Sequence, residues 1–384
     1  MDKKLIEKYG YKDLTRFIYQ DLSWGPLFRK EDGKVISNAD NNAEKYIKES
    51  LDIMKVPISD LKNKTVFNIG TGRESRFFAE KGADVYHVDI AKDSSDALNK
   101  WAKDKNKKAS SQFGDIVDIN IGENKYDIIY LNGIYQHIEK PAVALVKLIN
   151  SLKPNGIMYM GFYRSGEFKF FIVDAIRYLI DFSMVKEVRD INSILFTFNK
   201  FNHYNSTRVM DDFFIPKKHN FHPKDIIHDL KLIGGEVFHF DNDVRDYVHE
   251  IEDLEKKTYH KDKGYFSIGG DRIYITKKNN KVTNYNDVHN ELKTLRGRDQ
   301  ILEVEYKEDI INENIEMIKK IKILKESGFL NSTQIACLSI GLHQFTRPFV
   351  FEQSFYYQES LKYGRHNTLK KYLKNFLDDF SPKI

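Results

Sequence analysis

Cysteine is almost absent: Cys337 is the only one in 384 residues. One thiol can form neither an internal disulfide nor a cysteine-based zinc site. It lies in the apolar stretch Gln334–Leu342, of helical pattern, where a buried inert thiol is expected rather than a nucleophile. Long apolar runs are also missing, none approaching the roughly eighteen residues of a membrane span. The opening MDKKLIEKYGYKD lacks the apolar core of a signal peptide. A cytoplasmic protein with no membrane partner is therefore expected. Charge of one sign is scarce too, since 61 Lys and Arg stand against 56 Asp and Glu, and the net +5 is spread along the chain. A dedicated nucleic-acid binder would concentrate its basic residues, so that class is not favoured. What the chain does hold is 41% apolar residues and 30% charged ones, enough for a sizeable core and a solvated surface. Its 27 Phe and 22 Tyr are scattered as core filling, there is no internal repeat, and the length suits two or three compact units.

The rest of the chain is organised around Lys64–Asp89, KTVFNIGTGRESRFFAEKGADVYHVD. Thr65–Ile69 is a short apolar, β-branched run of the kind that forms a buried strand. It enters Gly70-Thr71-Gly72, where missing side chains let a ligand approach the backbone. Arg73–Lys81 has helical composition and is stopped by Gly82, and Val85–Val88 is a second strand ending on Asp89. Gly70 and Asp89 are nineteen positions apart, close to the spacing at which a Rossmann-like unit sets a carboxylate on a ribose hydroxyl pair.

Alternation continues. Helix Ser94–Lys103 is followed by a weak strand at Ala109–Phe113, a strong one at Tyr126–Leu131, helix Pro141–Leu152, the turn Lys153-Pro154-Asn155-Gly156 and strand Ile157–Phe162. Pro223–Ile233 reads as a helix closed by Gly234-Gly235, and Glu236–Phe240 and Arg272–Thr276 read as the last strands. The expected fold is α/β, a doubly wound, mostly parallel, seven-stranded Rossmann-like sheet over 56–163 and 222–279. Around it stand a helical N-terminal cap (1–55), a lid or substrate insertion after strand 5 (164–221) and a C-terminal helical accessory unit (280–384). Residues 1–62 read as amphipathic helix broken at Trp24-Gly25-Pro26 and Glu31-Asp32-Gly33, with Asn41–Met54 the clearest piece. A charged insertion spans Asp241–Tyr265, and helices are expected at Asn312–Glu326, Ser332–Leu342 and Tyr357–Phe380.

Open α/β sheets bind ligands outside the carboxyl ends of their strands. Four successive strand ends here carry suitable groups: the Gly70 turn, Asp89, Asp115-Ile116, and Asn132 to His137. Glycine amides can cradle a carboxylate or phosphate, Asp89 can accept from two hydroxyls, and Asp115 from an exocyclic amine.

At these residues the chain resembles the class I S-adenosylmethionine-dependent methyltransferases, over about 56–163 and 222–278. Val66–Gly72 (VFNIGTG) is similar to the family's first motif. Tyr126–Pro141 is similar to its fourth strand and loop, and Leu152–Phe162 (LKPNGIMYMGF) to its leucine-lysine-proline-glycine-glycine turn and fifth strand. Phe213 to Val237 resembles the late part of small-molecule members. The resemblance implies S-adenosyl-L-methionine as cofactor, with S-adenosyl-L-homocysteine as product. Asn68, Gly70, Thr71, Gly72 and Asn132 would be among the residues that bind it, with Gly70 and Gly72 facing its methionine part. Asp89 would meet the ribose hydroxyls, Ile90 would also bind the cofactor, and Asp115 and Ile116 would flank the adenine. Two departures stand out. Asn68 occupies the place of the motif's acid, and Glu74 that of its third glycine.

Methyl transfer from a sulfonium needs an aligned nucleophile, exclusion of water and, for a hydroxyl acceptor, a base. His137, just past the fourth strand, is the candidate base; a loop histidine ordering the next helix is the plainer reading. Tyr163 and Arg164 could orient an acidic or polyhydroxy substrate, or be an exposed pair without a role. His203, His219 and His222, near Asp211 and Asp212, match no ligand spacing, so no metal is expected. The aromatics of 198–214 suit a lid or plain packing. The expected reaction is methylation of an oxygen or nitrogen of a small molecule or saccharide, with oligomerisation through the C-terminal helices open. An RNA or tRNA methyltransferase and a non-catalytic scaffold subunit are the alternatives. A nicotinamide-linked oxidoreductase is disfavoured because Ser75 stands at its last glycine.

Overall fold

In the computed structural model, residues 15, 16, 19, 29–31, 34–36, 41–70, 72–163, 221, 223–241, 271–278 and 282–294 are described. Seven strands form one sheet: β1 (Thr65–Ile69), β2 (Asp84–Asp89), β3 (Ala109–Phe113), β4 (Tyr126–Asn132), β5 (Leu152–Phe162), β6 (Gly235–Asp241) and β7 (Asp271–Lys277). Their order is β3-β2-β1-β4-β5-β7-β6. β1 to β5 pair in parallel, and β7 is antiparallel to both its neighbours, β5 and β6. The winding reverses between β1 and β4, so the ligand crevice of a doubly wound sheet falls there. This is the α/β architecture expected from the sequence.

Side chains alternate across the sheet because the strand period is two. One face carries Phe67, Ile69, Val88, Ile129, Leu131 and Met160, packed with Leu145 and Leu148 of α4 (Pro141–Ser151) and Ile226 and Leu230 of α5 (Pro223–Leu232). The other carries Val66, Val85, Ile128 and Tyr130 against α1 (Asn41–Ile53), α2 (Arg73–Glu80) and α3 (Lys92–Asp104), through Leu51, Phe78 and Leu98. On this second face, register places Ser111, His87, Asn68, Tyr130, Tyr159 and Tyr274 side by side across six strands. Tyr130 and Tyr159 stack with centroids 4.3 Å apart. The Tyr130 and Tyr274 hydroxyls lie 3.3 Å and 3.5 Å from Ser50 Oγ, which itself donates to the Tyr46 carbonyl. This polar row lies in an otherwise apolar layer, just beneath the ends of the strands.

Two local expectations change. The sequence pattern reads as helix on both sides of a break at Glu31-Asp32-Gly33, but Arg29–Glu31 and Lys34–Ile36 pair as an antiparallel ribbon. The intervening Asp-Gly dipeptide signals a hairpin rather than a break between helices. Lys153–Gly156 is not a turn ahead of the fifth strand but part of β5, which starts at Leu152 and carries a register shift. Asn155 takes the left-handed conformation there, φ 60°, which Asn tolerates better than most residues.

Residues 282–294 pack against the sheet domain. The Asn150 amide exchanges hydrogen bonds with the Thr283 backbone at 2.7 Å and 2.9 Å. Asp229, fully buried on α5, accepts from the Lys293 and Thr294 amides and the Thr294 hydroxyl. The expected lid, apart from Phe221, and the expected helices beyond residue 294 lie outside the described residues, as does the charged insertion after Asp241. No helix among the described residues is long and apolar enough to cross a membrane.

Candidate functional site

A cavity of about 290 Å³ opens at the carboxyl ends of β1 to β5, on the crevice that the topology defines. β1 contributes Gly70, at φ 111°, where a Cβ would come within 2.7 Å of Ile134 Cδ1. Backbone conformation and space both restrict this position to glycine. Gly72, in the left-handed region, starts α2 without lining the cavity.

Asn68 does not reach the cavity either. Its side chain is fully buried on the α2 face, where Nδ2 donates to the Tyr130 carbonyl (2.8 Å) and Oδ1 accepts from the Ser75 hydroxyl (2.7 Å). The expected contact of Asn68 with a ligand gives way to a joint between β1, β4 and α2. Strand alternation turns its side chain into the packed face, one residue short of the strand end.

At the end of β2, Asp89 lines the cavity and is 7% exposed. One carboxylate oxygen accepts from the Ala91 amide at 2.8 Å. Burial nevertheless pushes the group up to about 7, well above the ordinary aspartate value. Ile90 follows it on the wall. The β3 end supplies Asp115 and Ile116. Asp115 accepts from the Val117 amide at 2.9 Å, and Lys147 of α4 fastens the segment by donating to the carbonyls of Ile116, Val117 and Ile119.

β4 ends on Asn132, whose Oδ1 lies 3.3 Å from the Tyr159 hydroxyl. The next turn carries His137, 8% exposed and on the cavity wall. Its ring meets Tyr19 on one side and Tyr163, just past β5, on the other, both edge to face with centroids 6.0 Å apart. The site therefore brings together Gly70, Asp89, Ile90, Asp115, Ile116 and Asn132 with His137 and Tyr163. Thr71 and Arg164 lie outside the described residues, as do His203, His219, His222, Asp211 and Asp212.

Sequence reasoning missed several contributors. Arg73 and Glu74, in the first turn of α2, line the cavity, and the Glu74 side chain is buried. In the sequence, position 74 stands out only as an absent glycine, although a charged residue in a helix's first turn can aim at its neighbouring crevice. Thr15 and Tyr19 reach the cavity from the N-terminal segment by tertiary folding alone. His87 sits behind the Gly70 turn, and its trace in the sequence is a polar residue between Val85 and Asp89 on an inward strand face.

Residues 67–160 match a family model described as a methyltransferase domain. No curated protein sequence matches the chain. Among solved structures, an S-adenosylmethionine-dependent methyltransferase from Mesorhizobium loti is 12% identical, covering 62% of this chain and 99% of its own, with a TM-score of 0.40. A SAM-dependent methyltransferase from Methanosarcina mazei is 18% identical over 56% of this chain and 93% of its own, TM-score 0.37. The 1,6-didemethyltoxoflavin-N1-methyltransferase of Burkholderia thailandensis, solved with bound 1,6-didemethyltoxoflavin and S-adenosylhomocysteine, is 12% identical over 66% and 95%, TM-score 0.34. At such identities and scores these structures add nothing to the fold that the strand order does not already define. The matched stretch runs from β1 into β5 and is similar to a methyltransferase domain, in keeping with the strand order.

Proposed function

We propose that the protein transfers a methyl group from S-adenosyl-L-methionine to an oxygen or nitrogen of a small molecule or saccharide, releasing S-adenosyl-L-homocysteine. The observation that carries this reading is Asp89. It is a carboxylate that burial holds near neutrality at the wall of a cavity, beside a turn that only glycine fits. A buried acid on the cavity wall suits a pair of ribose hydroxyls, because their hydrogen bonds replace the water it has lost. Ile90 and Ile116 offer apolar walls for a purine, with Asp115 at its edge. Gly70 and Asn132 line the methionine side, with Gly72 and Asn68 supporting the turn from outside the cavity.

The bound cofactor supplies an activated methyl group on a sulfonium. The chain's own task is then to orient the acceptor and keep water out. His137, buried between Tyr19 and Tyr163, takes the proton from an acceptor hydroxyl, while Tyr163 and Arg164 orient the substrate. Calorimetric titration with S-adenosylmethionine and S-adenosylhomocysteine, with NAD as control, tests the reading. Micromolar binding of the adenosyl ligands that is lost in Asp89→Ala is the expected result, and no binding of either ligand refutes it.

A further inference from the structure

We infer that His87 is a positioning residue that holds the Gly70 turn in its ligand-ready conformation. The inference rests on the cofactor reading above and assigns a determinant of cofactor affinity outside the cavity lining.

His87 is 2% exposed, on the α2/α3 face of β2, directly beside Asn68 and Ser111 in the neighbouring strands. Its Nε2 lies 2.6 Å from the Gly70 carbonyl oxygen, which can only accept, so this nitrogen carries the proton. Nδ1 lies 2.7 Å from Ser111 Oγ, and Ser111 Oγ is 2.9 Å from Ser95 Oγ of α3. Burial holds the imidazole down to about 4, so the ring is neutral and its one proton sits on Nε2. Ser111 is itself clamped, since its amide donates to Asn99 Oδ1 and its carbonyl accepts from Asn99 Nδ2, both at 2.8 Å. A rigid chain thus runs from α3 through β3 and β2 to the peptide plane that leaves β1.

That plane needs an external restraint. Gly70 has no side chain of its own to lock it and sits at φ 111°, so its conformation must be imposed by partners. The Gly70 amide donates to the Val88 carbonyl at 3.2 Å, a long bond, and His87 supplies the short one on the other side. Burying an imidazole costs free energy unless both nitrogens are used, and an apolar side chain would fill the same layer without that cost.

The two ring nitrogens permit a test by paired substitution. In His87→Gln the side-chain amide reaches the Nε2 position and can still donate to Gly70. In His87→Asn the shorter amide reaches the Nδ1 position and keeps only Ser111. S-adenosylhomocysteine affinity by calorimetry and melting temperature are measured on the full chain. The expected outcome is that H87Q binds within about threefold of wild type, while H87N binds at least about tenfold more weakly. The two variants should melt at comparable temperatures, so that the restored affinity of H87Q separates positioning from a general loss of stability. Wild-type affinity in H87N, or equal weakening in both variants, overturns the positioning role. Should H87N fail to fold, the nitrogen-15 spectrum of the wild-type His87 ring decides. An Nε2–H tautomer whose resonance moves on adding S-adenosylhomocysteine supports the role, and an unmoved resonance overturns it. A wild-type chain that binds neither adenosyl ligand refutes the cofactor reading itself, a result distinct from any of these.

Discussion

Replacing Asp89 with Asn should stabilise the ligand-free protein above neutral pH while weakening its cofactor binding. The carboxyl titrates at about 7 in the folded chain, against 3.8 for an ordinary aspartate. The native state therefore binds more protons than the unfolded state between pH 4 and pH 7, and stability falls as pH rises through that window. A gap of about three pH units, at about 1.36 kcal/mol for each, makes the ionised group cost at most about 4 kcal/mol above pH 7. Asn keeps an acceptor for the Ala91 amide and carries no charge. The difference in unfolding free energy between variant and wild type should be near zero below pH 4 and approach that ceiling by pH 8. Urea titration followed by circular dichroism and by fluorescence of the buried Trp101 measures it. All other titrating groups cancel in the difference. In the same series, wild-type affinity for S-adenosylhomocysteine should rise between pH 6 and pH 8. The affinity of the Asp89→Asn variant should be flat with pH and at least about tenfold lower than wild type at pH 8. A stability difference independent of pH would refute the reasoning, because burial would then not be acting on this carboxyl.

Gly70→Ala should abolish cofactor binding. The left-handed backbone costs a side chain about 1–3 kcal/mol and Ile134 must move, so Ile134→Ala should restore binding only in part by calorimetry. Lys147→Met leaves three carbonyls of the 116–119 segment without their donor and should lower stability by roughly 2–4 kcal/mol, read as a drop in the urea midpoint with the m-value unchanged. Asp229→Ala removes the acceptor of two amides and a hydroxyl, and should speed hydrogen exchange at Lys293 and Thr294 before it changes exchange in β4. His137→Gln should leave S-adenosylhomocysteine affinity within a few-fold and reduce kcat by about 10²–10⁴ on a hydroxyl acceptor, once one is found.

Strands and their carboxyl ends are legible because buried parallel strands are written as apolar β-branched runs and their ends as Gly, Asp and Asn. Thr65–Ile69 and Tyr126–Asn132 fall within a residue of expectation for that reason. What stays hidden depends on groups that meet only in three dimensions. Asn68 looks like a ligand contact by motif, yet its side chain turns into the α2 face. Glu74 looks like a defect in the glycine pattern and instead puts a buried carboxylate on the cavity wall. Tyr19 and His137 are 118 positions apart in the sequence and become ring neighbours through tertiary packing. The β5 bulge escapes because its Lys-Pro-Asn-Gly composition is that of a turn, while its pairing with β4 resumes only at Ile157.

The position of β7 has a consequence for how the chain is made. Residues 65–163 supply five adjacent parallel strands and nearly all of the cavity wall, so this half can assemble as soon as it leaves the ribosome. The strand that pairs with the free edge of β5 begins at Asp271, 109 residues after Phe162. At ordinary synthesis rates of about 5–20 residues per second, that edge waits roughly 5–20 s for its partner. It exposes the backbone of an apolar strand carrying Met158, Met160 and Phe162. An unpaired apolar edge of this kind is where a nascent chain recruits a neighbour's strand. Truncations ending before residue 271 should therefore aggregate, even though they contain most of the ligand site.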